Sequence, residues 1–216
     1  MAKQKFHIHQ LSRLVFAYPP DWMRILEELE AGRQQMFWSY KPLRNGAFSL
    51  VKSKGAQRDR IYQDVAILAE KAGGAKCARA NVSGLQVFEK QFAPLVGAAK
   101  DNLMGQSSRG VDFANIELIG SPHFTITDKA GNTKFVYLHP SNWKDEQVQV
   151  FCELLTVIIE KRFQAVAADL WFLDLRGQVR LPWPKSKQRL RRKCEQTAKL
   201  VAFLKGANFG VEDENV

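Results

Sequence analysis

Gly120-Ser121-Pro122-His123-Phe124-Thr125-Ile126-Thr127 opens the stretch that decides the fold. Lys129-Ala130-Gly131-Asn132 turns the chain, and Lys134-Phe135-Val136-Tyr137-Leu138-His139-Pro140 brings it back. Two short apolar runs, 123–128 and 133–139, joined by a Gly-Asn turn, predict a β-hairpin. A strand-like run at 113–119 precedes it. From Lys144 to Arg162, Val148, Phe151, Cys152, Leu155, Ile158 and Ile159 recur at steps of three and four, the spacing of one buried helix face. Asp145 and Glu146 at its start and Lys161 and Arg162 in its last turn suit the helix dipole. Asp169-Leu170-Trp171-Phe172-Leu173-Asp174-Leu175-Arg176 then reads as a closing strand ending at Gly177. The order is strand, turn, strand, helix, strand.

On the N-terminal side, Lys5 to Phe16 mixes apolar and basic residues and fits strand or helix. Tyr18-Pro19-Pro20 breaks it, and Asp21 reads as the N-cap of a helix carrying Trp22, Ile25, Leu26 and Leu29 up to Gly32. Gln34 to Lys41 and Ala47 to Lys52 read as two strands around a turn at Pro42 and Asn45-Gly46. Ile61, Val65, Leu68 and Ala69 predict a helix that Gly73-Gly74 ends. Leu85, Phe88, Phe92, Leu95 and Val96 extend a second helix from about Gly84 to Leu103, with a kink at Pro94. The polar loop 105–110 follows. Three segments result: 1–83, mostly helical with a hairpin; 84–181, the core; and 182–216, a basic helix from about Lys187 to Lys205 with an acidic tail.

The 216 residues suffice for a core without staples, and 45% apolar and 11% aromatic content describe a globular chain. Net charge is +10 and the isoelectric point about 9.6, which suits an anionic partner. Cys77, Cys152 and Cys194 are far apart and odd in number, arguing against a disulfide framework or a Cys-built zinc site. Neither a secretory signal nor an apolar run of membrane-spanning length occurs, so the expected location is cytoplasmic and no membrane partner is expected. Phosphate-loop, dinucleotide, nucleophile-elbow and HExxH patterns are all missing from the sequence.

Three strands, a crossover helix and a fourth strand resemble the PD-(D/E)XK superfamily, most closely its RecB-type branch. Gly120-Ser121-Pro122-His123 stands where that branch has Gly-x-Pro-Asp. Tyr137-Leu138-His139 stands in place of Asp-x-Lys, and Trp171-Phe172-Leu173-Asp174-Leu175-Arg176-Gly177 resembles the closing strand. The resemblance spans roughly residues 84 to 180, with Glu89 on the leading helix. It implies an α/β fold with a three-layer α-β-α restriction-endonuclease-like core.

The decisive letters differ. Phosphodiester hydrolysis of this type needs a hard cation such as Mg²⁺ held by carboxylate oxygens. His123, Tyr137 and His139 are poor ligands for it, so the degenerate positions imply an inactive site with no cofactor. An active metal-dependent nuclease using Mg²⁺ or Mn²⁺ remains open if Glu89 works with Asp112, Glu117 or Asp128; each of these can equally be a solvated surface charge. His123 and His139 would hold a softer metal only with a third ligand and a hairpin register that puts them on one face. His7 and His9 alternate near the N-terminus and form a minor candidate.

The basic run supplies the other candidates: Arg180, Lys185, Lys187, Arg189, Arg191, Arg192 and Lys193 to neutralise phosphates, and Trp183 to stack on a base. Lys52, Lys54, Arg58 and Arg60 form a second basic group. The expected function is an inactive nuclease-like protein that binds nucleic acid or supports a partner in a nucleic-acid-processing complex. A protein-interaction module built on Trp38, Trp143 and Trp183 is the other alternative.

Overall fold

The computed structural model describes residues 3–30, 40–106, 109–140, 143–176, 179–182 and 188–209. The elements run β1 (Gln4–His7), α1 (Ile8–Phe16), α2 (Trp22–Glu30), α3 (Lys41–Lys52), α4 (Arg58–Val87), β2 (Val96–Asn102), β3 (Gly110–Phe113), β4 (Ile116–Ile119), β5 (Phe124–Asp128), β6 (Thr133–His139), α5 (Asp145–Phe163), β7 (Leu170–Asp174), β8 (Val179–Pro182) and α6 (Gln188–Phe209). The protein is a mixed α/β chain with two mixed sheets. The larger has the order β2-β5-β6-β7-β8 and the smaller β1-β4-β3. In the larger, β2, β5 and β6 are antiparallel neighbours, with the chain passing through the smaller sheet between β2 and β5; β7 runs parallel to β6, and β8 returns antiparallel. Parallel neighbours need a crossover, and α5 supplies it.

Strand alternation divides the core. Phe135, Tyr137, Leu170 and Phe172 point to one side and pack with α1, α5, α6 and the apolar face of the smaller sheet. Val136, Leu138, Trp171 and Leu173 point to the other and pack with Leu43 and Leu50 of α3 and Val65 and Leu85 of α4. Both faces of β6 and β7 are therefore apolar, as strands covered on both sides must be.

Helix α5 is more deeply enclosed than a one-faced helix. Every residue from Val150 to Ile159 is buried, including Thr156 and Glu153. Thr156 satisfies its hydroxyl on the carbonyl of Cys152 (2.8 Å). Glu153 receives Nε of Arg191 from α6 at 2.6 Å, and the same guanidinium reaches Glu160 at 2.8 Å. This pair ties α6 to α5.

Several expectations are corrected. Lys41–Lys52 is a helix, not the second half of a hairpin; the expected strand from Gln34 lies outside the described residues up to Ser39. The Asn45-Gly46 pair serves close packing, since a Cβ on Gly46 would fall 2.5 Å from Val65 Cγ2. The helical run from Gly84 stops at Val87. A π-turn and a 3₁₀ turn containing Pro94 follow, and 96–102 is the edge strand β2. Residues 113–119 are not one strand but the end of β3 and all of β4, joined by Ala114 and Asn115, both at positive φ. Lys5–Phe16 is strand and then helix. Strand β8 had no counterpart in the reading of the sequence. The break at Gly73-Gly74 falls where the glycines indicated, although α4 resumes beyond it. Residue 84, the expected segment boundary, lies inside α4.

Removing the Arg191 side chain takes the ion pair from a fully buried carboxylate, that of Glu153. Arg191→Ala is expected to lower unfolding free energy by about 3–5 kcal/mol in urea titration. The double change Glu153→Leu with Arg191→Met should recover most of it.

Candidate functional site

The β5–β6 hairpin sets the site through its register. Phe124 pairs with Val136 and Thr127 with Thr133, leaving a five-residue connection. Asp128 closes it by accepting the N–H groups of Ala130 and Asn132, both at 2.9 Å, while Gly131 takes φ 85°. One step beyond Phe124, His123 faces Tyr137, and the two rings stack at 4.2 Å. Two of the candidate positions singled out in the sequence thus meet across the hairpin.

The imidazole of His123 is fixed by the backbone. Its Nδ1 accepts the N–H of Leu138 at 3.0 Å, so in the neutral ring the proton sits on Nε2. Burial, then the nearby Arg44, then His9 and His139, hold its pKa well below the ordinary imidazole value of 6.5. His139 lies two residues beyond Tyr137, on the same face, with its ring centroid 4.2 Å from Trp143 and 5.0 Å from Phe172. His9, in the first turn of α1, approaches the Tyr137 hydroxyl with Nε2 at 3.3 Å and packs on Phe151. Desolvation of that ring and then Arg44 lower its pKa too. The outer side of His9 is open to solvent, which limits this effect, so His123 carries most of the acid sensitivity. Burial pushes the Tyr137 hydroxyl up to about 12.

His9, His123 and Tyr137 line a cleft of about 320 Å³ beside the β5–β6 hairpin. Helix α3 adds Lys41 and Arg44, and the segment between β4 and β5 adds Ser121. Arg44 is placed by its neighbour Leu43, which is fully buried and whose N–H is held by Asn81 Oδ1 at 2.9 Å. A Cβ on Gly84 would sit 2.9 Å from Leu43 Cδ2, so only glycine lets α4 approach this closely. Gly120 is similarly enclosed by Ile8 and Ile158, and its carbonyl accepts Arg162 at 3.2 Å.

The four carboxylates of the active alternative lie elsewhere and apart. Glu89 accepts from Arg58 Nε (2.7 Å) and the Tyr62 hydroxyl (2.8 Å); the Arg58 hydrogen bond is the main cause of its lowered pKa. Asp112 pairs with Lys3 at 2.7 Å, Glu117 lies 3.7 Å from Lys5, and Asp128 is used in the hairpin turn. None of the four lines the cleft. Among the described residues no three His, Cys, Asp or Glu side chains converge to hold a metal ion. A Mg²⁺ or Mn²⁺ ion does not fit this cleft, whose only ionised groups are the cations Lys41 and Arg44.

Of the basic candidates, Arg189, Arg192 and Lys193 are exposed on α6. Lys193 Nζ lies 5.0 Å above the Phe16 ring. Arg191 turns inward to Glu153 and Glu160 and is a structural residue. Arg180 lies on β8 opposite Leu173. Trp183, Lys185 and Lys187, like Trp38, lie outside the described residues. Trp143 joins the aromatic cluster with His9, His139 and Phe151. Lys41 and Arg44 were missed because Pro42 and Asn45-Gly46 read as a turn. The available signal was a pair of cations three residues apart around Pro42, with Leu43, Ala47 and Leu50 continuing at helical spacing.

Comparison with family models, with curated proteins and with solved structures returns no match.

Stability should fall with acid in a defined window. Unfolded His123 takes its proton near pH 6.5, whereas the folded ring resists it. The unfolded state therefore binds more protons below pH 6.5, and stability drops as pH falls from there towards the folded value. Urea midpoints between pH 7 and 5 should show this. His123→Asn, which keeps an acceptor for the Leu138 N–H, should flatten the slope by up to about 1.4 kcal/mol per pH unit.

Proposed function

We propose that this chain is a nuclease-like protein of the PD-(D/E)XK type that binds nucleic acid without cutting it, alone or within a nucleic-acid-processing complex. The observation that carries the reading is the stacked pair His123 and Tyr137, facing each other where that chemistry requires carboxylates. The antiparallel strands β2-β5-β6, the crossover α5 and the parallel strand β7, with helices on both faces, support the restriction-endonuclease-like reading of the architecture. The dispersal of Glu89, Asp112, Glu117 and Asp128 among separate ion pairs and a turn favours the inactive form.

The charge supports an anionic polymer as partner. Beyond the net +10, α6 presents Arg189, Arg192 and Lys199 to solvent at spacings of three and seven residues, the positions of one helix face. Such a row neutralises backbone phosphates, and binding of this kind weakens steeply with salt because condensed counterions are released.

Fluorescence anisotropy with single- and double-stranded DNA and RNA over 50–300 mM salt is the test. The expected result is binding with a negative log–log salt slope, which Arg189→Ala with Arg192→Ala reduces in magnitude by about 1.8 on duplex DNA. Incubation with Mg²⁺ or Mn²⁺ should give no cleavage. No binding at the lowest salt overturns the nucleic-acid reading, and EDTA-sensitive cleavage abolished by Glu89→Ala overturns the inactive one.

A further inference from the structure

We infer that the cleft between α1, α3 and the β4–β5 segment is a binding site for a phosphomonoester group. Two cations, Lys41 and Arg44, enter it from the first turn of α3. That turn holds no acidic residue, and neither cation makes an ion pair among the described residues. Both sit against the positive end of the helix dipole, where cations are disfavoured and an anion is stabilised. The arrangement is electrostatically incomplete by itself.

Two orphaned polar atoms point the same way. Arg44 Nε is buried with no hydrogen-bond partner, and so is the hydroxyl of Ser121, a residue only 7% exposed. Buried donors without partners carry the full desolvation cost of the group, so two of them on one cleft mark a place built for an acceptor. The backbone tautomer lock on His123 turns its Nε2 into a donor as well. His9 and His123 both feel Arg44 as a positive neighbour, which marks the sign of the potential inside.

The donors come from three places: a guanidinium and an ammonium from α3, a hydroxyl and an imidazole from the β4–β5 segment, and an imidazole from α1. Donors arriving from several directions suit a tetrahedral dianion with three free oxygens better than a planar carboxylate, which one arginine satisfies. Ile8, Met104, Ile119 and Pro122 form an apolar wall that lowers the local dielectric and strengthens these contacts. The volume, about 320 Å³, is at the small end of ligand sites and admits a phosphate with part of its organic group. The phosphate ester belongs either to a small molecule or to the end of a nucleic-acid strand; only the second source rests on the function proposed above.

Isothermal titration with inorganic phosphate at constant ionic strength, with chloride as the reference anion, tests the site itself. The expected result is saturable one-to-one binding that Arg44→Met weakens about 10–100-fold and Ser121→Ala weakens less. Arg44→Lys, which keeps the charge without the fork, should fall between. Circular dichroism and urea midpoints show whether each variant is folded, and phosphate-dependent protection of the wild-type midpoint gives a second readout without any variant. No saturable binding to wild type, or equal binding by wild type and folded Arg44→Met, overturns the inference.

Anisotropy with one oligonucleotide, carrying either a 5′-phosphate or a 5′-hydroxyl, separates the sources. Tighter binding of the phosphorylated strand, lost in Arg44→Met but retained in Arg189→Ala with Arg192→Ala, places a strand end in the cleft. Phosphate binding with no affinity for either strand keeps the site, assigns it to a small phosphate ester and overturns the nucleic-acid reading. Strand binding without any phosphate binding keeps that reading and overturns the site.

Discussion

Helix α5 is buried on every side from Val150 to Ile159, and most of the architecture follows from covering it. The larger sheet takes one flank through Phe135, Tyr137 and Phe172, and α1, α6 and the smaller sheet take the rest. Glu153 makes this enclosure selective. A carboxylate in a dry helix needs a counter-charge and hydrogen bonds, and Arg191 on α6 supplies both. A cluster of aliphatic side chains could accept α6 in several orientations; an ion pair at 2.6 Å accepts one. The polar atom that is hardest to bury is thus the one that fixes how the last helix docks.

The same enclosure determines what the hairpin can present. Tyr137 and His139 face α5, so these positions belong to an aromatic layer with Phe151, Phe172 and Trp143. A carboxylate pair and a hydrated cation would require water in that layer. Rings stacked at about 4–5 Å exclude it. Polar function is displaced to the cleft beside the hairpin, where α3 brings its cations and the β4–β5 segment its hydroxyl.

The hairpin, α5 and β7 were legible in the sequence because each has one unambiguous period: alternation over 124–128 and 133–139, and steps of three and four from Val148 to Ile159. Which residue His123 faces was not legible, because the alternation leaves the length of the turn, and with it the register, open. Elsewhere local signals competed. Asn45-Gly46 is a strong turn signal, yet Gly46 is there because Val65 of α4 leaves no room for a Cβ, which only the tertiary structure reveals. Phe88, Phe92 and Leu95 continue the helical step past Val87, while the π-turn and Pro94 redirect the backbone into β2. The cleft was the least legible part, since Arg44, Ser121 and His9 come from three segments whose only link is spatial.

Strand β1 pairs in parallel with β4, so Gln4 meets Ile116 across 112 residues of chain (116 − 4). A ribosome adding roughly 5–20 residues per second needs on the order of ten seconds to make that interval. Through it, the α3–α4 pair has time to assemble from local contacts, while the first strand stays without its partner. His9 lies two residues past the end of β1, so its contact with Tyr137 depends on this closure as well as on residue 137 having been added. The cleft therefore cannot form until segments far apart in the sequence have all been made, since His9, Arg44 and Tyr137 line it together.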